Sequence, residues 1–449
     1  MSQAIRACFA RNVLLAAREA KGNKSDFLLT CGGLRNLPGA YSSASGRLQC
    51  RLSGESDKGD KFPHKHMVGG IADAMKVGDQ TVLTRDRGGF RVVTLNRPKA
   101  LNALNEEMIL SLYKHYSAYD ASDLVTGVLL KGEGKAFCAG GDVKAVTKRY
   151  KEGFEKEVFN FFRTEYQLNH LIATMRTPYV AVMDGVTMGG GAGVSIHGDF
   201  RIATEKTLFA MPECALGLFT DVGATHFLTH KTRYELGVYL AMCGARVRGR
   251  ELVDIGIATH FVPSFKLDEL EGRLGDARWG GRDKDLVRRM IEEVADPHDK
   301  VDLGDGGKEM SVDPIVAHRS EIIEVFALDT IEEICEELSK RASQGVKWCE
   351  DAHKAIMRSS PMSLKVTLEA LKRSRNSSLE DALKMEFRIL HGFMEGNDFY
   401  EGVRAILVEK DNKPTWKPAS LEEATAEMVD AYFADWGDEL EFHAKPAKL

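Results

Sequence analysis

At 449 residues, with 43% hydrophobic and 28% charged, the chain can bury a sizeable core and reads as one large domain with additions. A net charge of -5 argues against non-specific nucleic-acid binding by the whole chain, and no apolar run reaches the length a membrane span needs. The cysteines show no C-x-x-C pair and no metal-ligand spacing, so reduced thiols, no structural disulfide and no metal site are expected.

Residues 1 to 75 carry no sustained core pattern. Between residues 3 and 18, Ile5, Cys8, Phe9, Val13 and Leu14 are set among Arg6, Arg11 and Arg18, with no acid before Glu19. That is the basic amphipathic pattern of a mitochondrial or plastid targeting sequence, with a plain disordered extension as the alternative. The stretch from 42 to 65, rich in Ser, Gly and Lys, reads as a linker.

Residues 76 to 265 are predicted to form the core. Two β-rich runs in 81 to 95 around Gly88 and Gly89 predict a hairpin, and 105 to 119 has helical spacing. A buried strand at 125 to 130 leads into the loop KGEGKAFCAGGD, and a charged amphipathic helix follows with Phe154, Val158, Phe161, Phe162 and Leu168 on its apolar side. Strands are predicted at 179 to 183 and 200 to 203, with the Gly-rich loop GVTMGGGAG between them. Strands alternating with helices, several ending in Gly-rich loops, indicate an α/β domain with ligand groups at strand ends. Helices at 232 to 242 and 249 to 254 and a short strand at 257 to 262 complete it. Residues 266 to 420 are predicted to be a helical region packing on the core, with helices at 331 to 355, 362 to 372, 379 to 394 and 398 to 411. Its charged stretch, 273 to 312, is expected to be an exposed insertion in which GDGGK at 304 to 308 is a turn, and 421 to 449 a C-terminal tail.

Two Gly-rich loops at the ends of buried strands can each offer one backbone N–H to a single carbonyl oxygen, which is what an oxyanion hole requires. Glu213 follows the apolar run Phe209, Ala210, Met211 and Pro212, where a carboxyl group can act as general base or nucleophile in a partly dry pocket. Asp221 lies eight residues on. Cys138 reads as a small buried apolar residue, and His226 with His230 as a pair without a zinc-protease glutamate.

With these loops the chain resembles the crotonase (enoyl-CoA hydratase/isomerase) superfamily, and within it the subgroup of 3-hydroxyisobutyryl-CoA hydrolases. The resemblance rests on LNRPKALNAL (95 to 104), GKAFCAGGD (134 to 142), FFRTEYQLNHLI (161 to 172), YVAVMDGVTMGGGAGVSIHG (179 to 198) and FAMPECALGLFTDVG (209 to 223). GIATHFV, SPMSLKVTL and DFYEGVRAILVEKD with WKP extend it to about residue 420.

It implies a spiral of ββα turns and hydrolysis of a short 3-hydroxyacyl-CoA thioester in valine breakdown in the mitochondrial matrix. No metal or redox cofactor is implied, coenzyme A arriving as part of the substrate. By motif position, Gly141 and Gly190 would supply the oxyanion N–H groups, Glu213 the catalytic carboxylate, Asp221 a grip on the 3-hydroxyl or an orienting contact to Glu213, and Glu165 a substrate contact. Lys99, Ala100, Leu101, Ala136 and Ala139 would line the coenzyme A, with Lys144 near its phosphates or else solvated. Hydratases of the superfamily carry a second glutamate three residues after the oxyanion glycine; here that place is Gly193, which favours hydrolysis over hydration or isomerisation. Cys214 and Thr220 depart from the hydrolase pattern. A homo-oligomer is left open, as is recruitment as a structural subunit of a mitochondrial ribosome, which the basic amino-terminal extension would suit.

Overall fold

Paired strands organise the first half of the fold. A hairpin of β1 (Val82–Arg87) and β2 (Phe90–Leu95) turns at Gly88 and Gly89 as the sequence predicts, and α1 (Glu106–Ala121) follows, its N-cap Asn105 accepting from Met108 N–H at 3.0 Å. Three pairs come next: β3 (Gly127–Gly132) with β4 (Ala136–Cys138), β5 (Tyr179–Met183) with β6 (Val186–Met188), and β7 (Phe200–Ala203) with β8 (Leu208–Ala210). After each pair comes helix: α2 (Val143–Lys151) and α3 (Glu155–Thr174), then α4 (Gly190–Ile196), then α5 (Ala224–His230). Further on lie α6 (Tyr234–Cys243), β9 (Val247–Arg248), α7 (Glu251–Asp254) and β10 (His260–Phe261). The first strand of each pair enters a six-stranded sheet, β1-β2-β3-β5-β7-β10, and the second enters a four-stranded sheet, β4-β6-β8-β9. This is the ββα spiral that the resemblance implies.

The computed structural model describes residues 80–276, 281–295 and 314–442; the targeting and linker segments and the turn at 304 to 308 lie outside them. The described residues fall within one compact unit.

Alternation along the central strands gives the larger sheet two buried faces. Val93, Leu95, Val128, Leu130, Ala181 and Met183 join the main core, while Val92, Leu129, Val180 and Val182 join a smaller one. That second face is covered by α8 (Leu267–Asp276) and α9 (Lys284–Glu292), through Leu270, Leu274, Val287 and Ile291. The described part of the charged 273 to 312 stretch is therefore a cover on the sheet and not the exposed insertion expected. Its charges, such as Asp285 and Arg288, occupy the outer face and obscure the apolar spacing beneath.

The remainder is helical: α10 (Pro314–Ala317), α11 (Arg319–Phe326), α12 (Ile331–Ser343), α13 (Lys347–Ile356), α14 (Pro361–Ser374), α15 (Leu379–Glu395), α16 (Asp398–Val403) and α17 (Ala426–Ala431). The single helix expected over 331 to 355 is two, because Gly345, with φ of 94°, breaks it. The helix expected over 398 to 411 becomes α16 and one wide turn, Arg404–Val408. From 421 to 442, where a tail was expected, the chain stays attached, with Leu421, Val429 and Leu440 buried in the main core. Among the described residues no helix is long and apolar enough to cross a membrane.

Candidate active site

The two glycine loops meet where β4 and β6 end. Leu104 lies beside the first as an isolated parallel bridge: its N–H donates to Gly140 O, and Asp142 N–H donates to Leu104 O, each at 2.8 Å. That pattern uses the residues flanking Gly141 and leaves the Gly141 N–H facing the other way. Gly190 is the first residue of α4, so its N–H has no acceptor within the helix. The turn into it runs through Gly189 at φ 48° and ψ -121°, which a side chain would strain. A Cβ on Gly190 would stand only 3.2 Å from Gly141 N. Gly141 and Gly190 thus stand side by side, each with an N–H that its own ladder or helix leaves unused.

Carboxyl groups arrive at the same spot from two elements. Glu213 opens a 3-10 turn, Glu213–Leu216, after β8, and its Oε1 lies 2.9 Å from where a Gly189 Cβ would be. Glu165, from the middle of α3, brings its Oε1 within 2.6 Å of the corresponding point on Gly190. The next residue, Tyr166, donates its hydroxyl to Asp221 Oδ2 at 2.9 Å. All three acids are buried, at 2%, 6% and 5% exposure for Glu165, Glu213 and Asp221. Glu165 Oε1 and Glu213 Oε2 have no hydrogen-bond partner among the described residues.

Burial, reinforced by the Asp221 charge, pushes Glu165 and Glu213 well above the usual carboxylate range. Burial also pushes Asp221 up, to about 7, against the pull of the Tyr166 hydroxyl. Cys138 is buried, its thiol pushed up to about 12 by desolvation, which suits an inert apolar residue. The five described cysteines are free thiols.

Position 193 has a steric reason to be glycine. A Cβ there would meet Val222 Cβ at 2.8 Å and Asn169 Nδ2 at 2.9 Å, so the place that holds a second glutamate in hydratases is filled by this chain's own side chains. Asn169 is fully buried, and neither end of its amide has a partner among the described residues.

The predicted coenzyme A residues divide into two groups. Residues 99 to 101 and 136 to 139 run side by side, since Ala139 N–H donates to Leu101 O at 3.0 Å and the Asn102 amide donates to Glu133 O at 3.0 Å and Ala136 O at 2.7 Å. Leu101 and Asn102 adopt φ of 52° and 56°, which gives this turn its sharp shape. Lys99 and Lys144 are exposed, Lys144 in the first turn of α2, and Ala136 is buried.

Sequence reasoning missed Tyr166, Asn169 and Glu386. Tyr166 and Asn169 follow Glu165 on one face of α3, a clue that the spacing carries. Glu386 interrupts the buried stripe Ala382, Leu383, Phe387, Ile389 and Leu390 of α15, and an acid on a buried stripe signals a partner.

Residues 90–433 match the family model described as enoyl-CoA hydratase/isomerase, and the chain belongs to that family. Among curated relatives it is 44% identical over 362 residues to the mitochondrial 3-hydroxyisobutyryl-CoA hydrolase of Xenopus laevis, covering 80% of this chain and 90% of that one. To the Homo sapiens protein of the same name it is 41% identical over 359 residues, covering 80% and 89%. Of solved structures, a carnitinyl-CoA dehydratase from Mycobacterium thermoresistibile matches with a TM-score of 0.72 at 35% identity, over 82% of this chain and 100% of that one.

Proposed function

We propose that this chain hydrolyses the thioester of 3-hydroxyisobutyryl-CoA, or of a close short-chain 3-hydroxyacyl-CoA, to the free acid and coenzyme A, in valine breakdown in the mitochondrial matrix. One observation carries the reading: Glu213 stands at the Gly189 turn beside Gly141 and Gly190, while a side chain at position 193 would meet Val222 and Asn169. The relatives' names point to the same substrate.

The thioester oxygen would lie between the N–H groups of Gly141 and Gly190, which stabilise the tetrahedral oxyanion. Ionised Glu213 then attacks the carbonyl carbon, or takes a proton from a water that attacks it. The oxyanion collapses, the C–S bond breaks, and coenzyme A leaves as a thiolate that picks up a proton. In the nucleophilic route water next opens the mixed anhydride and frees Glu213. Asp221, steadied by Tyr166, accepts from the 3-hydroxyl, and Glu165 contacts the acyl end. Residues Lys99, Ala100, Leu101, Ala136 and Ala139 would line the coenzyme A, with Lys144 near its phosphates. The reaction calls for no metal or redox cofactor.

Release of free thiol from 3-hydroxyisobutyryl-CoA by the full chain tests this, beside a Glu213→Gln variant. The expected outcome is turnover by the wild type and a fall in kcat of roughly 10²- to 10⁴-fold in the variant. Equal turnover in both would remove Glu213 from the mechanism, and no thiol from any short acyl-CoA would overturn the activity.

A further inference from the structure

Glu386 is a buried acid that the chemistry above leaves unused. It is 0% exposed and comes from α15 in the helical region, yet every partner it has among the described residues lies in the turn after Asp221. Its Oε2 accepts from Gly223 N–H at 2.6 Å, and its Oε1 accepts from Thr225 N–H at 3.1 Å and from the Thr225 hydroxyl at 2.6 Å. From the opposite side His197 Nε2 lies 2.8 Å from Val222 O; a carbonyl can only accept, so this nitrogen carries the proton. Between the two anchors Val222 is held at φ 58°, a conformation that a β-branched residue adopts only when its surroundings impose it. Ala224 N–H closes the turn on Asp221 O at 3.0 Å.

We propose that Glu386 is a positioning residue for recognition of the substrate's hydroxyl, acting through the turn Asp221 to Thr225. The proposal rests on the reading that Asp221 accepts from the 3-hydroxyl. Tyr166 fixes the carboxyl end of Asp221, but the place of its backbone depends on a strained turn. As a carboxylate, Glu386 satisfies one N–H with each of its two oxygens, which an amide cannot do without setting a donor against a donor. In Glu386→Gln one amide oxygen remains for two N–H groups, the NH2 faces the other, and the Val222 turn is released.

A role confined to stability would weaken all ligands alike, so the test compares two thioesters on the full chain. The readout is the inhibition constant of isobutyryl-CoA, which lacks the hydroxyl, divided by KM for 3-hydroxyisobutyryl-CoA. Asp221→Asn is expected to lower this ratio. Glu386→Gln is expected to lower it about tenfold, through KM, with the inhibition constant of isobutyryl-CoA within about twofold of wild type. An unchanged ratio in folded Glu386→Gln, or equal weakening of both ligands, overturns the proposal. An unchanged ratio in Asp221→Asn defeats the hydroxyl reading itself, which is a separate failure. Should Glu386→Gln not fold, Thr225→Val, which removes one donor and keeps the shape, decides: a fall of about threefold supports the role and no fall overturns it.

Discussion

The loop from Glu213 to Thr225 is gripped by two parts of the molecule, and each contributes something different. The spiral core brings the groups proposed to meet the substrate: the N–H groups of Gly141 and Gly190, Glu165, and Tyr166 bonded to Asp221. The helical region brings anchors that stay behind the loop. Ser360 N–H donates to Cys214 O at 3.1 Å, Thr367 Oγ1 accepts from Thr220 N–H at 3.2 Å, Glu386 holds Gly223 and Thr225, and Gly402 of α16 packs on Leu216 O. The contrast assigns chemistry to the core and aim to the helices. It also gives a role to Cys214 and Thr220, the two departures from the hydrolase pattern, because both face Thr367.

Changes on the core side should strike turnover hardest. In Gly190→Ala the new methyl would meet Glu165 Oε1 at 2.6 Å and crowd Gly141 N at 3.2 Å, so kcat is expected to fall about 10²- to 10³-fold. Gly141→Ala meets nothing nearer than Phe161 Cζ at 3.8 Å and should cost less than about tenfold. Steady-state kinetics of the two variants check this: the reverse order would mean that Gly141, not Gly190, is the tighter position.

A second contrast lies in stability against pH. Unfolded, a glutamate ionises near pH ~4.3. Folded, Glu213 does so only well above its usual range, because burial and then the Asp221 charge penalise its anion. Between those values unfolding releases a proton, so the contribution of this group to stability is present below the unfolded value and is lost as pH rises. Glu213→Gln removes that loss. The variant should exceed wild type in Tm by more at pH 8 than at pH 5, the difference in unfolding free energy growing by up to about 1.4 kcal/mol per pH unit; a constant gap would mean that Glu213 ionises normally in the fold. Activity runs the opposite way, rising with pH as the Glu213 carboxylate forms.

The smallest expected effect is on the helical side. Thr367→Val removes the acceptor for Thr220 N–H, and denaturant unfolding should show a loss of about 1 to 2 kcal/mol with kcat within about twofold of wild type. A large loss of kcat would erase the division between aim and chemistry.

Much of this site is legible in the sequence. The hairpin, α1 and the strand before each glycine loop carry apolar spacing over five residues or more, and Gly141, Gly190 and Glu213 stand in motifs. Strands β4, β6 and β8 have three residues each, too few for alternation to register, so they read as loop. The groups that hold Asp221 and the turn after it were hidden for another reason. Tyr166 and Glu386 are 55 and 165 positions away, counted from 221, and only the packing of α3 and α15 on the loop brings them together. The charge density around Arg288 likewise concealed the buried face of α9.

Hydrolysis of a thioester, and not addition of water to a double bond, is the reaction expected of this site, where Val222 and Asn169 leave no room for a side chain at Gly193. The most direct test offers one preparation of the full chain both 3-hydroxyisobutyryl-CoA and crotonyl-CoA, following free thiol and loss of the conjugated double bond together. Thiol release from the first with the double bond of the second left intact is the predicted result. Hydration of crotonyl-CoA without release of coenzyme A from either would contradict it.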